Sequence, residues 1–375
     1  MISKKFVLTA LLSLVVIQAH LQSIPNREII IGSYYFDGWT GVNSSNEEWA
    51  KDAPDMLTKK MFFDFADREP IWGWRDDDLN IMEKQIDLAS KNGIDFFVFC
   101  WYWSTKDGHV DVDACLKNNL HTGINLFLKA RNKNKMRFAI IICNHGGYEL
   151  NNNQEWEEGM EFLADFIFKD KQYLFIEDKP YVSFFNAEKV RNYLPAMSQK
   201  LKTIGFQGMY SVSCNYRDQA FDLAAWYNNT FEGGKVHKAK DYQELTDRTR
   251  GAWYKTSNSF VVSPSCIVGW DRRPWYQEEN FIYYDQRTPK KFLKHLKDAV
   301  DFLYDRNDRI KILHIYAWNE LGEGGYLVPT KGDPRGLFLK QVKKAKRYGR
   351  RRLRLLSKGS VDSIRTIGEE IQYTH

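Results

Sequence analysis

Residues 311–329 read KILHIYAWNELGEGGYLVP. The first half is apolar and rich in β-branched residues, which predicts a buried strand, and the second half is a glycine-rich loop. Glu320 and Glu323 lie where the strand gives way to the loop, with Trp318 before them and Tyr326 after them. Two carboxyl groups beside aromatic rings can supply the acid and the base that cleave a glycosidic bond. A polar loop with two solvated glutamates is the alternative interpretation of the same residues.

Seven more strand-like runs precede this one along the chain. Most are continuous apolar segments, which is typical of parallel strands covered on both faces. Together with residues 312–318, the runs span residues 29–36, 94–103, 137–144, 181–186, 208–214, 222–226 and 260–268. Helical patterns lie between them at residues 77–92, 112–133, 154–169, 187–204, 239–254 and 289–303. This alternation predicts an α/β protein with one domain, a (β/α)8 TIM barrel.

An open, doubly wound sheet is the alternative fold for such a pattern. No glycine-rich dinucleotide fingerprint follows the first strand-like run, which removes one reason to prefer that sheet. Residues 38–76 form a long insertion after the first run, and they are rich in Trp, Asp and Asn. We expect this insertion to build part of the barrel mouth.

The N-terminus is typical of a secretory signal peptide. Lys4 and Lys5 precede an apolar stretch at residues 6–17, and small residues follow it as possible cleavage sites. The stretch is too short to predict a membrane span, although an uncleaved signal anchor is the alternative. We therefore predict a signal peptide at residues 1–23, a barrel at 24–348 and a basic C-terminal tail at 349–375. The mature protein is expected to be secreted or periplasmic, without an integral membrane span.

The net charge of +6 is concentrated near the C-terminus, where residues 340–358 read KQVKKAKRYGRRRLRLLSK. This run could contact an anionic polymer or a membrane surface, but a solvated helix face followed by a loose tail is the preferred interpretation. The run lacks an interleaved aromatic pattern and no phosphate-binding loop is present, so nucleic acid is not an expected partner. Aromatic residues make up 15% of the chain, which suits an aromatic-lined groove.

The five cysteines include no CxxC pair, and most of them fall within strand-like runs. They are expected to be small buried hydrophobic residues rather than a disulfide framework, with a single disulfide bridge as the alternative. No cluster of histidines and carboxylates has the spacing of metal ligands. The sequence therefore predicts neither a metal nor another cofactor.

Candidate binding residues recur at the ends of the predicted strands, where the active site of a (β/α)8 barrel forms. An aromatic residue is paired there with an amide, a carboxylate or an arginine, which suits the flat faces and the hydroxyl groups of sugars. We predict that Glu320 and Glu323 are catalytic and that the substrate contacts Tyr34, Tyr35, Asp37, Trp39, Trp101, Trp103, Asn144, His145, Trp226, Trp270, Asp271, Arg273, Trp318, Asn319 and Tyr326. Alternatively, Trp101 and Trp103 could fill the barrel rim, Asp37 could cap a turn, and His145 could be structural.

Four segments of the chain resemble the sequences of a known family. WNELGEGGYLVP is similar to the signature Trp/Tyr-Asn-Glu-Trp-x-Glu-Gly of glycoside hydrolase family 99, the endo-α-mannosidases and endo-mannanases. YYFDGW and QIDLASKNGIDFFVFCWYW resemble the opening and the second unit of that family, and GWDRRPW is similar to a stretch of the related WbsX-like proteins. The resemblance implies a retaining α-mannosidase that reacts through a 1,2-anhydro sugar.

In that mechanism Glu320 would take the proton of the substrate 2-hydroxyl. Glu323 would protonate the leaving oxygen and later activate water. These roles require a raised pKa for Glu323 and an ionised Glu320. Leu321, Gly322 and Val328 depart from the family pattern, so the sugar specificity does not follow from the resemblance.

Three functions are compatible with these observations. The first is an exported glycoside hydrolase acting on a polysaccharide or oligosaccharide. The second is a WbsX-like glycosyltransferase or surface-polysaccharide assembly protein, and the third is a non-catalytic glycan-binding protein. Because nucleotide sugars are made in the cytoplasm, the signal peptide favours the hydrolase.

Overall fold

The computed structural model describes residues 28–228, 238–275, 282–306 and 308–372, with side chains described as far as Ser357. The signal peptide predicted at residues 1–23 lies outside this part. Eight parallel strands form a nearly closed barrel: β1 (Ile30–Tyr35), β2 (Phe96–Trp101), β3 (Arg137–Ile142), β4 (Lys179–Phe184), β5 (Tyr210–Cys214), β6 (Leu223–Ala225), β7 (Ser265–Ile267) and β8 (Ile312–Tyr316).

The strands are arranged in the order β7-β8-β1-β2-β3-β4-β5-β6. A parallel bridge between Ala224 and Val262 brings the two ends of this order together. The predicted (β/α)8 barrel is therefore confirmed, including its short sixth strand.

Helices cover the outside of the barrel. They are α1 (Leu79–Lys91), α2 (Thr122–Lys129), α3 (Asn153–Leu163), α4 (Leu194–Thr203), α5 (Tyr242–Ser257), α6 (Pro289–Asp305) and α7 (Leu337–Gln372). Residues 215–222 join β5 to β6 without a helix. Helix α7 continues to Gln372, through the segment for which we expected a loose tail. Within the described chain, no helix is both long and apolar enough to span a membrane.

Two of the predicted helices are broken by capping residues and proline. The pattern at 112–133 contains a separate helix at Val112–Lys117, because Asn118 is extended and its side chain accepts the N–H of Leu120. The pattern at 187–204 starts with a single turn at Ala187–Val190. Helix α4 then begins anew with a proline in its first turn, a position where the missing N–H costs no hydrogen bond.

Side chains along each barrel strand alternate between two cores. Phe96, Val98 and Cys100 of β2 point into the barrel, whereas Phe97 and Phe99 pack outward with the helices. All five cysteines are buried and free, which confirms their interpretation as small hydrophobic residues. The alternation also decides which side of the wall each strand-end residue faces.

The insertion after β1 packs onto the barrel mouth, as expected. It contains a short helix at Lys59–Asp64 and 3-10 turns at Glu48–Ala50 and Ala66–Arg68. Arg68 forms a buried ion pair with Asp271 at 2.5 Å and donates to the carbonyl of Leu321 at 2.9 Å. These contacts tie the insertion to the loops that follow β7 and β8.

Replacing Arg68 by Met should destabilise the protein by about 3 kcal/mol, because it removes one partner of a buried ion pair. The measurement is the free energy of urea unfolding. Lys59→Met, which breaks an exposed ion pair with Glu47, is the matched control and should leave the unfolding midpoint unchanged. Equal effects of the two substitutions would contradict the anchoring role of Arg68.

Candidate functional site

The two candidate catalytic glutamates lie on a tight hairpin just after β8. Asn319–Glu320 pairs antiparallel with Gly325–Tyr326, and Glu323 lies in the turn between them. Gly324 has a φ of 75°, a conformation that glycine adopts readily and that lets this turn close. The hairpin holds both carboxyl groups at the carboxyl end of the barrel strands.

Glu320 is almost completely buried, with 3% of its surface exposed. Its Oε1 accepts a hydrogen bond from the hydroxyl of Tyr227. Its Oε2 is buried without a hydrogen-bond partner among the described residues. Burial, followed by the charge of Glu323, raises the pKa of Glu320 well above its usual range. A buried carboxyl oxygen without a hydrogen bond is destabilising, so Oε2 is suited to accept a hydrogen bond from a hydroxyl group of a ligand.

Glu323 is more accessible than Glu320, with 12% of its side chain exposed. The hydroxyl of Tyr316 donates to its Oε2, and the Nε of Arg272 lies 3.4 Å from its Oε1. Burial raises the pKa of Glu323, while Tyr316 and Arg272 oppose that rise. The family resemblance requires a raised pKa only for Glu323, whereas the structure raises the pKa of both carboxyl groups.

Aromatic residues that our prediction omitted surround the pair. The ring of Tyr227 lies 5.2 Å from that of Tyr316, and burial raises the pKa of both phenols, which keeps them protonated as donors. Tyr102 belongs to the same inner core, where burial raises its pKa and the charge of Glu320 adds to the rise. Strand alternation could have identified Tyr102 and Tyr227, because each adjoins a predicted tryptophan that faces the other side.

Several predicted residues do lie inside or at the edge of the barrel mouth. The ring centroid of Trp270 is 6.1 Å from that of Tyr316, and the guanidinium of Arg272 lies over the ring of Trp270, 5.4 Å from its centroid. Tyr34 lies in the inner core, where its hydroxyl donates to the carbonyl of Trp226 at 3.1 Å. His145 is exposed after β3, with its ring 4.9 Å from that of Phe185.

Other predicted residues face the helices instead. Trp101 stacks on His121 at 3.9 Å, and the indole of Trp318 donates to Gln85 of α1 at 2.5 Å. The same outer core contains Tyr35, Trp103, Trp226 and Tyr326. Strand alternation directs Tyr35, Trp101 and Trp103 away from the glutamates and into packing with the helices.

Four of the predicted polar residues hold loops in place. Both carboxylate oxygens of Asp37 accept the N–H of Gly123, at 2.7 and 2.8 Å, at the start of α2. Asn144 exchanges hydrogen bonds with the backbone of Asn186, which joins the ends of β3 and β4. Asp271 pairs with Arg273 at 2.8 Å, and its N–H donates to the carbonyl of Glu323 at 2.7 Å.

Asn319 and Trp39 fix the backbone next to Glu320. The amide of Asn319 accepts the N–H of Phe36 and donates to its carbonyl, both at 2.8 Å. The indole of Trp39 donates to the carbonyl of Asn319 at 2.8 Å. Behind them, Tyr35 and Asn319 donate to the buried carboxylate of Asp76 at 3.0 and 3.4 Å. Burial raises the pKa of Asp76 to about 7.

The indole of Trp275 covers the turn between the two glutamates. A Cβ atom added to Gly322 would lie 2.1 Å from the Cε2 atom of Trp275. Glycine at this position therefore lets the ring pack directly on the backbone of the turn. Trp275 also contacts Phe36, with ring centroids 5.9 Å apart, so the indole connects the loop after β7 with the end of β1.

No group of three or more histidines, cysteines and carboxylates in the described ranges could hold a metal ion.

Asp76→Asn should remove one source of pH-dependent stability. The pKa of Asp76 is raised to about 7 on folding, from 3.8, so its favourable contribution is complete below about pH 4 and is lost as the pH rises to about 7. Relative to the variant, the wild type should lose about 3 kcal/mol of unfolding free energy between pH 5 and pH 8. Urea unfolding at the two pH values measures this difference. Asp77→Asn is the control, and a constant difference between Asp76→Asn and wild type would contradict the assignment.

Gly322→Ala should destabilise the protein by about 1–3 kcal/mol, because the new methyl group collides with the indole of Trp275. Thermal unfolding measures the effect. Gly251→Ala, in the open surface of α5, is the matched control and should be neutral or stabilising. Adding Trp275→Ala to Gly322→Ala should cost less than the sum of the single changes. Additive costs would show that the two residues do not share this contact.

Comparisons with known proteins agree with the barrel. The structure of a GH99 endo-alpha-mannosidase from Bacteroides thetaiotaomicron, in complex with BIS-TRIS-propane, is similar with a TM-score of 0.56 and 14% identity, covering 88% of this chain and 99% of that one. A protein described as glycoside hydrolase-like gives a TM-score of 0.59 and 15% identity, covering 88% of this chain and 98% of that one. These likenesses show a glycoside hydrolase-like fold.

A search of curated protein sequences found no match. The family model described as "Glycosyltransferase WbsX" matches residues 74–340, from the end of the insertion to the first turn of α7. Because this match covers well over half of the chain, the protein belongs to the WbsX family.

Proposed function

We propose that this protein is a glycoside hydrolase that cleaves a polysaccharide or oligosaccharide, with Glu320 and Glu323 as its catalytic residues. The observation that carries the proposal is the pair of buried carboxyl groups on one hairpin, each bound by a tyrosine hydroxyl. Paired carboxyl groups at the carboxyl end of barrel strands suit glycosidic-bond cleavage. The endo-alpha-mannosidase named among the similar structures makes an α-mannoside the first substrate to test.

The two carboxyl groups differ in a way that suits different roles. Glu320 has an unpartnered buried Oε2, which could accept a hydrogen bond from the substrate 2-hydroxyl and, when Glu320 is ionised, take its proton. Glu323 is the more accessible group and lies beside Arg272, so it is placed to exchange protons with a leaving oxygen and then with water. Tyr227 and Tyr316 would stabilise the ionised form of their respective partners by hydrogen bonding.

The proposed reaction has two steps. In the first step the substrate O2 loses its proton to Glu320 and bonds to C1, while the bond from C1 to the leaving oxygen breaks and that oxygen takes the proton of Glu323. In the second step water attacks C1 and gives a proton to Glu323, while O2 leaves C1 and regains its proton from Glu320. Two inversions at C1 give net retention, and both glutamates return to their starting protonation states.

A glycosyltransferase is the second candidate, and the description of the family model favours it. A transferase of the usual kind would take a sugar from a nucleotide donor. The predicted signal peptide favours the hydrolase instead, because it predicts a secreted or periplasmic protein away from the cytoplasmic pool of nucleotide sugars. Direct assay of both reactions separates the two candidates.

Incubating the protein with α-mannans and other microbial and host glycans should release reducing ends. Glu320→Gln and Glu323→Gln should each lower the release by about 1,000-fold, because each removes a proton acceptor or donor from the reaction. Glu149→Gln is the matched control: this carboxylate pairs with Lys189 after β3 and its loss should leave turnover unchanged.

Parallel reactions with nucleotide sugars and glycan acceptors test the transferase. Sugar transfer without hydrolysis would replace the hydrolase proposal. Hydrolysis that survives both glutamine substitutions would overturn the assignment of the site. Binding of a glycan without either reaction would favour a non-catalytic glycan-binding protein.

Arg272→Met should move the acid limb of the kcat/KM profile to higher pH by about one unit. The arginine opposes the raised pKa of both glutamates, so its loss allows both pKa values to rise further. Initial rates between pH 4 and pH 9 measure the shift. Arg272→Lys keeps the positive charge and should shift the limb less; identical limbs in all three proteins would contradict the electrostatic role.

A further inference from the structure

The outer face of helix α7 carries a straight row of exposed cations. Its members are separated alternately by four and three residues, which places them on one face of a helix. We call this row the cationic stripe, and it consists of Lys340, Lys344, Arg347, Arg351 and Arg354. At 1.5 Å per residue the stripe is about 21 Å long. In the described part of the chain, no carboxylate forms an ion pair with any of the five.

Other cations of the same helix are paired with carboxylates of the barrel. Lys346 pairs with Asp95, and Arg350 pairs with Glu28 at 2.6 Å. Arg352 contacts Asp301 and Asp305 of α6, at 3.1 and 2.8 Å. The fold therefore supplies acidic partners at the margins of α7 and leaves the stripe without them.

Packing fixes the direction in which the stripe faces. Leu339, Val342 and Ala345 are buried on the opposite side of α7, where the helix packs against α6. Phe338 contacts Phe292 of α6, with ring centroids 6.0 Å apart. Because the buried face cannot leave the core, the five cations stay directed outward as one surface.

Exposed apolar residues follow the stripe. Leu355 and Leu356 are 60% and 47% exposed. A cluster of lysines and arginines on one helix face attracts the anionic head groups of phospholipids. The aromatic residue within this stretch, Tyr348, donates to Asp301 of α6 and is not part of the stripe. The stripe thus lacks the aromatic rings on which sugars or nucleic-acid bases would stack, which favours a lipid surface over those polymers.

We propose that the cationic stripe of α7 binds an anionic phospholipid surface. The phosphate groups of the lipids would pair with the five cations. The stripe lies on the outer wall of the barrel, whereas Glu320 and Glu323 lie at the carboxyl ends of the strands. Binding through α7 would therefore leave the mouth open to a large substrate. The inference does not depend on the proposed hydrolase activity.

The test is cosedimentation of the full chain with vesicles of phosphatidylglycerol and phosphatidylcholine, compared with vesicles of phosphatidylcholine alone. The wild type should partition onto the anionic vesicles, and added salt should weaken this binding. Replacing the five stripe residues by Gln should reduce the partition coefficient by more than about 100-fold. The neutral vesicles report any binding that does not depend on lipid charge, which the stripe variant should retain.

A matched variant controls for net charge. It carries five exposed lysines replaced by Gln on other faces of the protein, namely Lys51, Lys84, Lys117, Lys202 and Lys255. This variant should bind the anionic vesicles nearly as well as the wild type. Equal losses in the two variants would show that only net charge matters, and no loss in the stripe variant would show that α7 is not used. Stripe-dependent binding to soluble dextran sulfate without binding to vesicles would replace the lipid with an anionic polymer. Each of these three results would overturn the proposal.

Discussion

The side chain of Asn319 links the first barrel strand to the last, next to the candidate catalytic residue Glu320. Its amide group accepts from and donates to the backbone of Phe36, which follows β1, while its own backbone opens the hairpin after β8. The oxygen and the nitrogen of this buried side-chain amide both bond to the backbone of Phe36, which fixes the orientation of the Asn319 side chain. Because Glu320 is the next residue, the position of its carboxyl group depends on this link between the first and last strands.

Burial controls the electrostatics of the site. Glu320 and Glu323 are taken out of water close to one another, and both effects favour the protonated form of Glu320. Tyr227 and Arg272 oppose this rise in the pKa of Glu320, and Tyr316 and Arg272 oppose the rise in the pKa of Glu323. Such a balance allows one group to hold a proton while the other releases it, which is the requirement for acid and base catalysis by a pair of carboxyl groups. The pair is best treated as one coupled system, since a proton on either group changes the affinity of the other.

The family description and the fold point to two related kinds of chemistry. Glycosidases and glycosyltransferases both break a bond at the anomeric carbon of a sugar, and they differ in the group that accepts the sugar. Our proposal takes water as the acceptor, and it rests on the resemblance of this hairpin to the signature of glycoside hydrolase family 99 at both glutamates. The departures at Leu321 and Gly322 have structural counterparts: Leu321 is fully buried, and Gly322 makes room for Trp275.

Much of the fold could be predicted from local sequence. Continuous apolar runs and the helical patterns between them indicated all eight strands, and glycine-rich WNELGEGG indicated the loop that carries both glutamates. The broken helices at 112–133 and 187–204 were harder, because hydrophobic periodicity continues across a capping asparagine or a proline. The paired cations of α7 could not be separated from the stripe by sequence, since their partners Asp95, Asp301 and Glu28 lie far away along the chain.

The sequence by itself determined the barrel, and it placed Trp318, Glu320 and Glu323 at the end of the last strand. Both results depend on residues that are neighbours along the chain. Alternation along each strand separates the aromatic residues into two sets, but only the tertiary structure decided which set faces the glutamates. Trp101 and Trp318 pack outward, whereas Tyr102, Tyr227 and Tyr316 belong to the inner core. The physical reason is that alternate side chains of a strand lie on opposite sides of the barrel wall, and closure of the barrel gathers the inward ones from distant strands around one point.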